Sequence, residues 1–234
     1  MPTRQESRTF LHGAGTKILR FNRSERHLHW ALAIPFIICF LSAMVLVFIY
    51  NPAPTKPYRL LFSYIHRTSG ILMIFLPFFT AAIRRRDFKV FFYNIKQAWI
   101  WTIDDIKWLL LMGIAAINKK ISLPEQGKFN AAEKINFMYL MMTYPMYITT
   151  GLIVWFTDNA FAPWVLHCLM AVMSTPLIFG HFFMATINPA SRIGLSGMLN
   201  GFVDRHWAKH HYTKWYREHF ECALAPAPND GDDR

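Results

Sequence analysis

The sequence predicts an all-α membrane protein: a four-helix transmembrane bundle with a cytoplasmic interfacial helical loop and an amphipathic C-terminal tail. Three observations carry that prediction. The 234 residues are 53% hydrophobic and 16% aromatic, a composition too apolar for an ordinary soluble domain. The apolar residues are bunched into four runs, roughly 28–50, 60–83, 135–156 and 161–187, each long enough to span a bilayer, which takes about 20 residues. The cations, finally, are sorted to one side. Of the 25 Lys and Arg, six precede the first run, ten lie between the second and third, and six follow the fourth. Only Lys56 and Arg59, with Arg67 just inside the second run, fall on the other side. By the positive-inside rule both termini and the long 84–134 loop are cytoplasmic. The net charge of +11 therefore encodes topology rather than an affinity for nucleic acid.

The elements follow in order. Residues 1–27 form a basic cytoplasmic arm with no apolar core followed by a cleavage site, so the first run reads as a retained span rather than a signal peptide. It ends near Tyr50, and the three prolines in Asn51–Tyr58 make an outer turn that cannot continue a helix. The second run stops at Arg84, Arg85 and Arg86. Residues 88–117 interleave Phe91, Phe92, Tyr93, Trp99, Trp101 and Trp108 with Asp104, Asp105, Lys96 and Lys107, a mixture that fits a helix lying in the membrane interface better than a fifth crossing. The third run contains Pro145, a kink site. A short outer turn, Thr157–Pro163, leads to the fourth run. The chain thus divides into an arm, 1–27; a transmembrane domain, 28–187, with its loop 84–134; and a cytoplasmic tail, 188–234, basic and amphipathic to 221. Cys39, Cys168 and Cys222 stand alone, without C-x-x-C-H or iron–sulfur spacing, so cysteine chemistry is not expected.

Four histidines lie within these apolar runs: His29, His66, His167 and His181. An ionisable side chain in hydrocarbon is costly and marks function by default. Topology assigns their depths. His66 and His167 each sit about six residues from an outer helix end, whereas His181 and His29 lie toward the inner side. Fourteen residues separate His167 from His181, roughly 21 Å along a helix, and bring the side chain back to within about 40° of the same face. Two depth-matched imidazole pairs read as axial ligands of two stacked haems, low-spin sets suited to electron transfer. Each histidine is followed at i+4 by a small residue, Ala33, Gly70, Ala171 or Ala185, which leaves its helix face open to a flat macrocycle and also favours close helix packing. His12, His27, His206, His210, His211 and His219 are expected at the solvated cytoplasmic surface. Met44, Met170, Met173 and Met184 are expected to pack. The rival of another class is a haem-free membrane anchor or transporter whose histidines pack or relay protons.

The residues resemble the gamma subunit family of respiratory formate dehydrogenases, dihaem membrane cytochromes b, from about Lys17 to Glu221. The resemblance rests on R-x-x-H-W (Arg26, His29, Trp30), I-H-x-x-x-G (Ile65, His66, Gly70) and the histidine pair fourteen apart. It rests also on G-K-F-N-A-A-E-K (Gly127–Lys134) and on the stretch Gly197–Glu218. It implies two b haems on these four histidines and a location in the bacterial inner membrane. It also implies a catalytic dehydrogenase or reductase subunit and an iron–sulfur subunit as partners, with electrons passing between the latter and the quinone pool, menaquinone or ubiquinone. On that resemblance Asn130, Ala132, Glu133 and His181 surround the quinone. Ala132 and Glu133 stand where the family has Gly and Gln, so a carboxylate occupies a position at which an amide could only hydrogen-bond. The same cytochrome could equally serve a hydrogenase, a thiosulfate or polysulfide reductase, or another dehydrogenase.

Overall fold

A computed structural model of the chain describes residues 16–85, 89–118, 120–157 and 160–221. Arg86, His12, Cys222, most of the N-terminal arm and the last residues of the tail lie outside the described residues. The protein is an all-α membrane protein, and among the described residues four helices are long and apolar enough to cross a membrane.

A short strand, β1 (Lys17–Leu19), comes first. Helix α1 (Arg23–Val45) begins before its apolar run because Asn22 and Glu25 form a capping box. Glu25 N–H donates to Asn22 Oδ1 and Asn22 N–H to Glu25 Oε2, each at 2.9 Å, which satisfies two donors that a helix start leaves bare. The helix continues through a widened turn, Leu46–Tyr50. The following loop is closed by the Tyr50 hydroxyl, which donates to the Pro57 carbonyl at 2.7 Å. Tyr58 sits there in the left-handed region at φ 71°, a conformation that costs a non-glycine residue roughly 1–2 kcal/mol.

Helix α2 (Arg59–Ile83) is the second span. Where one interfacial helix was expected over 88–117, there are two, α3 (Lys89–Trp99) and α4 (Ile103–Ile117). The break falls at Thr102, whose side chain and Asp105 form a second capping box. Neither is among the four apolar spans, and α4 leaves Ile103, Ile106, Leu110, Ile114 and Ile117 exposed along one stripe, as a helix lying on an apolar surface requires.

Helix α5 (Ala131–Phe156) is the third span and α6 (Phe161–Phe182), extended by the widened turn Phe183–Ile187, is the fourth. A single turn, Arg192–Gly194, and the short α7 (Leu195–Leu199) follow. Gly201, at φ 97°, makes the turn that a side chain would strain. The stretch 188–221 is more structured than an amphipathic tail. Strand β2 (Phe202–Asp204) pairs antiparallel with β1, Lys17 opposite Asp204 and Leu19 opposite Phe202. Helices α8 (Arg205–His211) and α9 (Thr213–Tyr216) and a last turn, Arg217–Glu221, complete it.

Two compact units result, one drawn from Phe21–Phe91 and Tyr139–Gly201, the other from the residues up to Arg20, Phe92–Met138 and those from Phe202 onward. The first holds α1, α2 and α6 and the part of α5 from Tyr139 onward. Each carries one interior proline, Pro35, Pro77, Pro145 and Pro176, which removes a backbone donor and frees the carbonyl four residues earlier. In hydrocarbon that carbonyl must find another partner. For Pro77 the freed group is the Met73 carbonyl, and the Tyr144 hydroxyl donates to it at 2.9 Å. Met73, Tyr147 and Met170 form the buried centre of this unit, with Leu32, Phe36, Tyr144, Ile148 and Ala171 packed against it.

The core of the second unit is Ile18, Val203, Trp207, Ala208, Tyr212, Trp215, Tyr216 and Phe220. Arg20 lies over the Tyr212 and Trp215 rings at 3.9 and 4.4 Å and donates to the Lys128 carbonyl. His211 and His219, expected in solvent, are half-buried instead. Each packs against a tryptophan one turn earlier, Trp207 or Trp215, and its Nδ1 lies 3.1 or 3.0 Å from that residue's carbonyl. Burial lowers the pKa of both imidazoles from the ordinary value.

Candidate functional site

The bundle brings the four intramembrane histidines together two by two. The His66 and His167 rings, on α2 and α6, have centroids 6.1 Å apart with planes at 78°. The His29 and His181 rings, on α1 and α6, have centroids 6.3 Å apart at 43°. Two imidazoles on opposite sides of one metal ion, each nitrogen roughly 2 Å from the metal and about 1 Å from its own ring centre, put their centroids roughly 6 Å apart. Direct ring stacking would bring them closer. No cluster of three or more His, Cys, Asp or Glu able to hold a metal occurs among the described residues, so the pairs stand as pairs.

Hydrogen bonds fix the ring tautomers at the first pair. His66 Nδ1 lies 3.0 Å from the Cys39 carbonyl oxygen and 3.1 Å from Ser42 Oγ. A carbonyl only accepts, so His66 carries its proton on Nδ1 and presents a bare lone pair at Nε2. Ser42 Oγ spends its own proton on the Ile38 carbonyl at 2.7 Å or that of Cys39 at 3.0 Å. His167 follows the same logic: its Nδ1 lies 2.9 Å from Thr150 Oγ1, and Thr150 donates to the Met146 carbonyl at 2.6 Å. The threonine oxygen is thus left to accept from Nδ1–H. A histidine that ligates a metal characteristically donates its other ring N–H to such an oxygen.

Space agrees with this. A Cβ built on Gly70, one turn beyond His66, meets nothing within 4 Å. On the other side of the His167 ring there is no slack, because a Cβ on Gly151 would lie 3.2 Å from His167 Cε1. Tyr147 packs edge-on against the same ring, centroids 5.5 Å apart. At the second pair, His29 Nδ1 is buried with no hydrogen-bond partner among the described residues. Around it, Trp30 Nε1 donates to the Met198 carbonyl at 3.0 Å and Arg26 Nη1 to that of Leu199 at 2.9 Å, tying the first turns of α1 to α7. The donor chemistry, ring separations and open face of Gly70 fit a flat group whose metal takes an imidazole on each side.

Sequence reasoning found the rings and missed their holders. Ser42 and Thr150 look like ordinary small polar residues in apolar runs, and the Cys39 contribution is a backbone oxygen that no residue type signals. Cys39 also donates its thiol to the His66 carbonyl at 3.4 Å. Met170 packs in the core as expected, and Met184 accepts at its sulfur from Asn188 at 3.2 Å.

The loop residues Asn130, Ala132 and Glu133 open helix α5. Glu133 N–H donates to Asn130 Oδ1 and Asn130 N–H to Glu133 Oε2, both at 2.9 Å, a third capping box. The other Glu133 oxygen accepts from the Tyr212 hydroxyl at 2.7 Å. Burial, and then the Glu133 charge, push the Tyr212 phenol far above its ordinary pKa. Glu133 therefore has a structural duty at both oxygens.

Comparison with known proteins points the same way. The model of the prokaryotic cytochrome b561 family matches residues 20–201. The nitrate-inducible formate dehydrogenase cytochrome b556 (Fdn) subunit of Escherichia coli strain K12 is 28% identical over 215 residues, covering 86% of this chain and 91% of that one. A formate dehydrogenase cytochrome b556 subunit of Haemophilus influenzae is 27% identical over 222 residues, covering 87% and 84%. The formate dehydrogenase cytochrome b556 (fdo) subunit of Escherichia coli strain K12 is 25% identical over 211 residues, covering 86% and 92%. These are the relatives the sequence resemblance anticipates.

Proposed function

Because the chain belongs to the prokaryotic cytochrome b561 family, we propose that this membrane cytochrome b is the dihaem anchor subunit of a respiratory formate dehydrogenase in the bacterial inner membrane. In that role it carries electrons across the bilayer between an iron–sulfur partner subunit and the quinone pool, while the catalytic subunit handles the substrate. The observation that supports the reading most strongly is the pair of imidazole pairs, at 6.1 and 6.3 Å, both sharing α6.

His66 and His167 would hold the outer haem, and His29 and His181 the inner one. Bound haem b supplies one-electron redox chemistry, and the protein supplies position and electrostatics. The chain's own contribution is to present neutral imidazoles with Nε2 free. Cys39 O, Ser42 and Thr150 do this on the outer side, where the Ser42 and Thr150 side chains are buried. Exclusion of water preserves a low dielectric, in which each fixed dipole acts more strongly. On the family resemblance, Asn130, Ala132 and Glu133 are the proposed quinone neighbours. Since Glu133 already accepts from Asn130 N–H and Tyr212, the Asn130 side-chain amide is the donor this trio offers a quinone carbonyl.

The test is to isolate the chain from its native membranes. A reduced-minus-oxidised spectrum should show b-type haem, and an iron–sulfur subunit and a formate-oxidising subunit should copurify. Absence of a b-type spectrum sinks the haem assignment. Copurification with a hydrogenase or a sulfur-compound reductase would replace formate dehydrogenase as the host.

A further inference from the structure

The His66–His167 pair is gripped by hydrogen bonds. His66 Nδ1–H is shared between the Cys39 carbonyl and Ser42 Oγ at 3.0 and 3.1 Å, one turn of α1. His167 Nδ1–H is taken by Thr150 Oγ1 at 2.9 Å, while Tyr147 and Gly151 close on the same ring. Residues 147, 150 and 151 share one face of α5, the one span that contributes no histidine. Ser42 and Thr150 are 4% and 6% exposed, so both acceptors act in a low dielectric.

We infer that Thr150 and Ser42 are positioning residues that lower the potential of the outer haem. The inference rests on the dihaem reading and deepens it. An oxygen that accepts from Nδ1–H makes the opposite nitrogen a stronger donor to its metal. A stronger donor stabilises the oxidised, more positively charged iron and so favours loss of the electron. Two such bonds act at the outer site, one on each ligand.

The test uses the full chain in isolated membranes, as wild type, His66→Ala, His29→Ala, Thr150→Val, Thr150→Ser and Ser42→Ala, each followed by optical redox titration and low-temperature electron paramagnetic resonance. Wild type should show two b-type components of different midpoint. Thr150→Val, close to isosteric, should raise the component that His66→Ala removes, so that its reduced-to-oxidised ratio at fixed ambient potential grows roughly three- to tenfold, the worth of one hydrogen bond. The other component should stay in place. Thr150→Ser should restore the wild-type value and resonance position. Ser42→Ala should move the same component in the same direction by less, because the Cys39 carbonyl still accepts. Loss of one component in Thr150→Val that Thr150→Ser restores carries the same meaning. Unmoved midpoints in both Thr150→Val and Ser42→Ala, or movement instead of the component that His29→Ala removes, overturns the inference while leaving the two haems intact. A wild type without two b-type components removes the dihaem reading itself.

Discussion

Asp105 and Lys134, 3% and 7% exposed, make an ion pair of 2.7 Å in the second unit. Lys134 also donates to the Ile100 carbonyl at 2.9 Å, and Asp105 Oδ2 accepts from the Thr102 N–H at 2.8 Å. Burial alone would raise the Asp105 pKa, but the hydrogen bonds from Lys134 and Thr102 outweigh it and hold the carboxyl below its usual range. A depressed folded-state pKa gives stability that is complete above the unfolded value, about 4, and is lost as pH falls through the folded one. Proteolysis within the 84–134 loop should therefore be unchanged from neutral pH down to about 5 and should rise only below about 4. Lys134→Met, which strands a buried carboxylate, should cost about 3–5 kcal/mol in thermal unfolding, and an unfolding curve like that of wild type would contradict the assignment. At this scale the sequence was informative about charges in hydrocarbon and silent about their acceptors. His29, His66, His167 and His181 stand out because they are costly where they are, whereas Ser42 and Thr150 are unremarkable until the fold aims them at a ring. Glu133 was singled out on sequence only through the family resemblance, and the cap it forms with Asn130 was missed.

Helices α1, α2, α5 and α6 fall close to the apolar runs because length and composition alone decide which segments can cross a bilayer. Their starts differ from those runs where a polar cap extends the helix, at Asn22 for α1 and Asn130 for α5. The β1–β2 pair was not legible: three-residue strands separated by more than 180 residues of sequence leave no periodic trace, and their pairing depends on tertiary contact. The small core that Trp207, Tyr212, Trp215 and Tyr216 of the tail close with Ile18 was not legible for the same reason. Between spans, the bond from Tyr144 to the carbonyl freed by Pro77 gives a test at this scale. Tyr144→Phe should lower stability by about 1 kcal/mol. In a Pro77→Ala background, where the Ala81-side helix bonding is unchanged but residue 77 regains its N–H, the same change should cost less. Equal costs in the two backgrounds would show that the bond does not compensate the proline.

Across the whole molecule, one division of labour emerges. Three spans supply the histidines, with α6 supplying one to each pair, and α5 supplies the walls: Tyr144 on Met73, Tyr147 and Thr150 on His167, Tyr139 and Tyr147 on Ser174 at 3.0 and 2.6 Å. Charge asymmetry, apolar length and histidine depth, all readable along the chain, lead to the same bundle because each is imposed by the bilayer as solvent. What those constraints do not specify is how firmly each ring is held, which depends on side chains meeting across helices. The central claim is that two separate pairs of imidazoles each hold one haem b. It is tested most directly by the haem content per chain, measured as pyridine haemochrome in wild type, His66→Ala and His29→Ala. The expected values are two, one and one, with a different redox component missing from each variant, and retention of both haems in either variant would contradict the pairing.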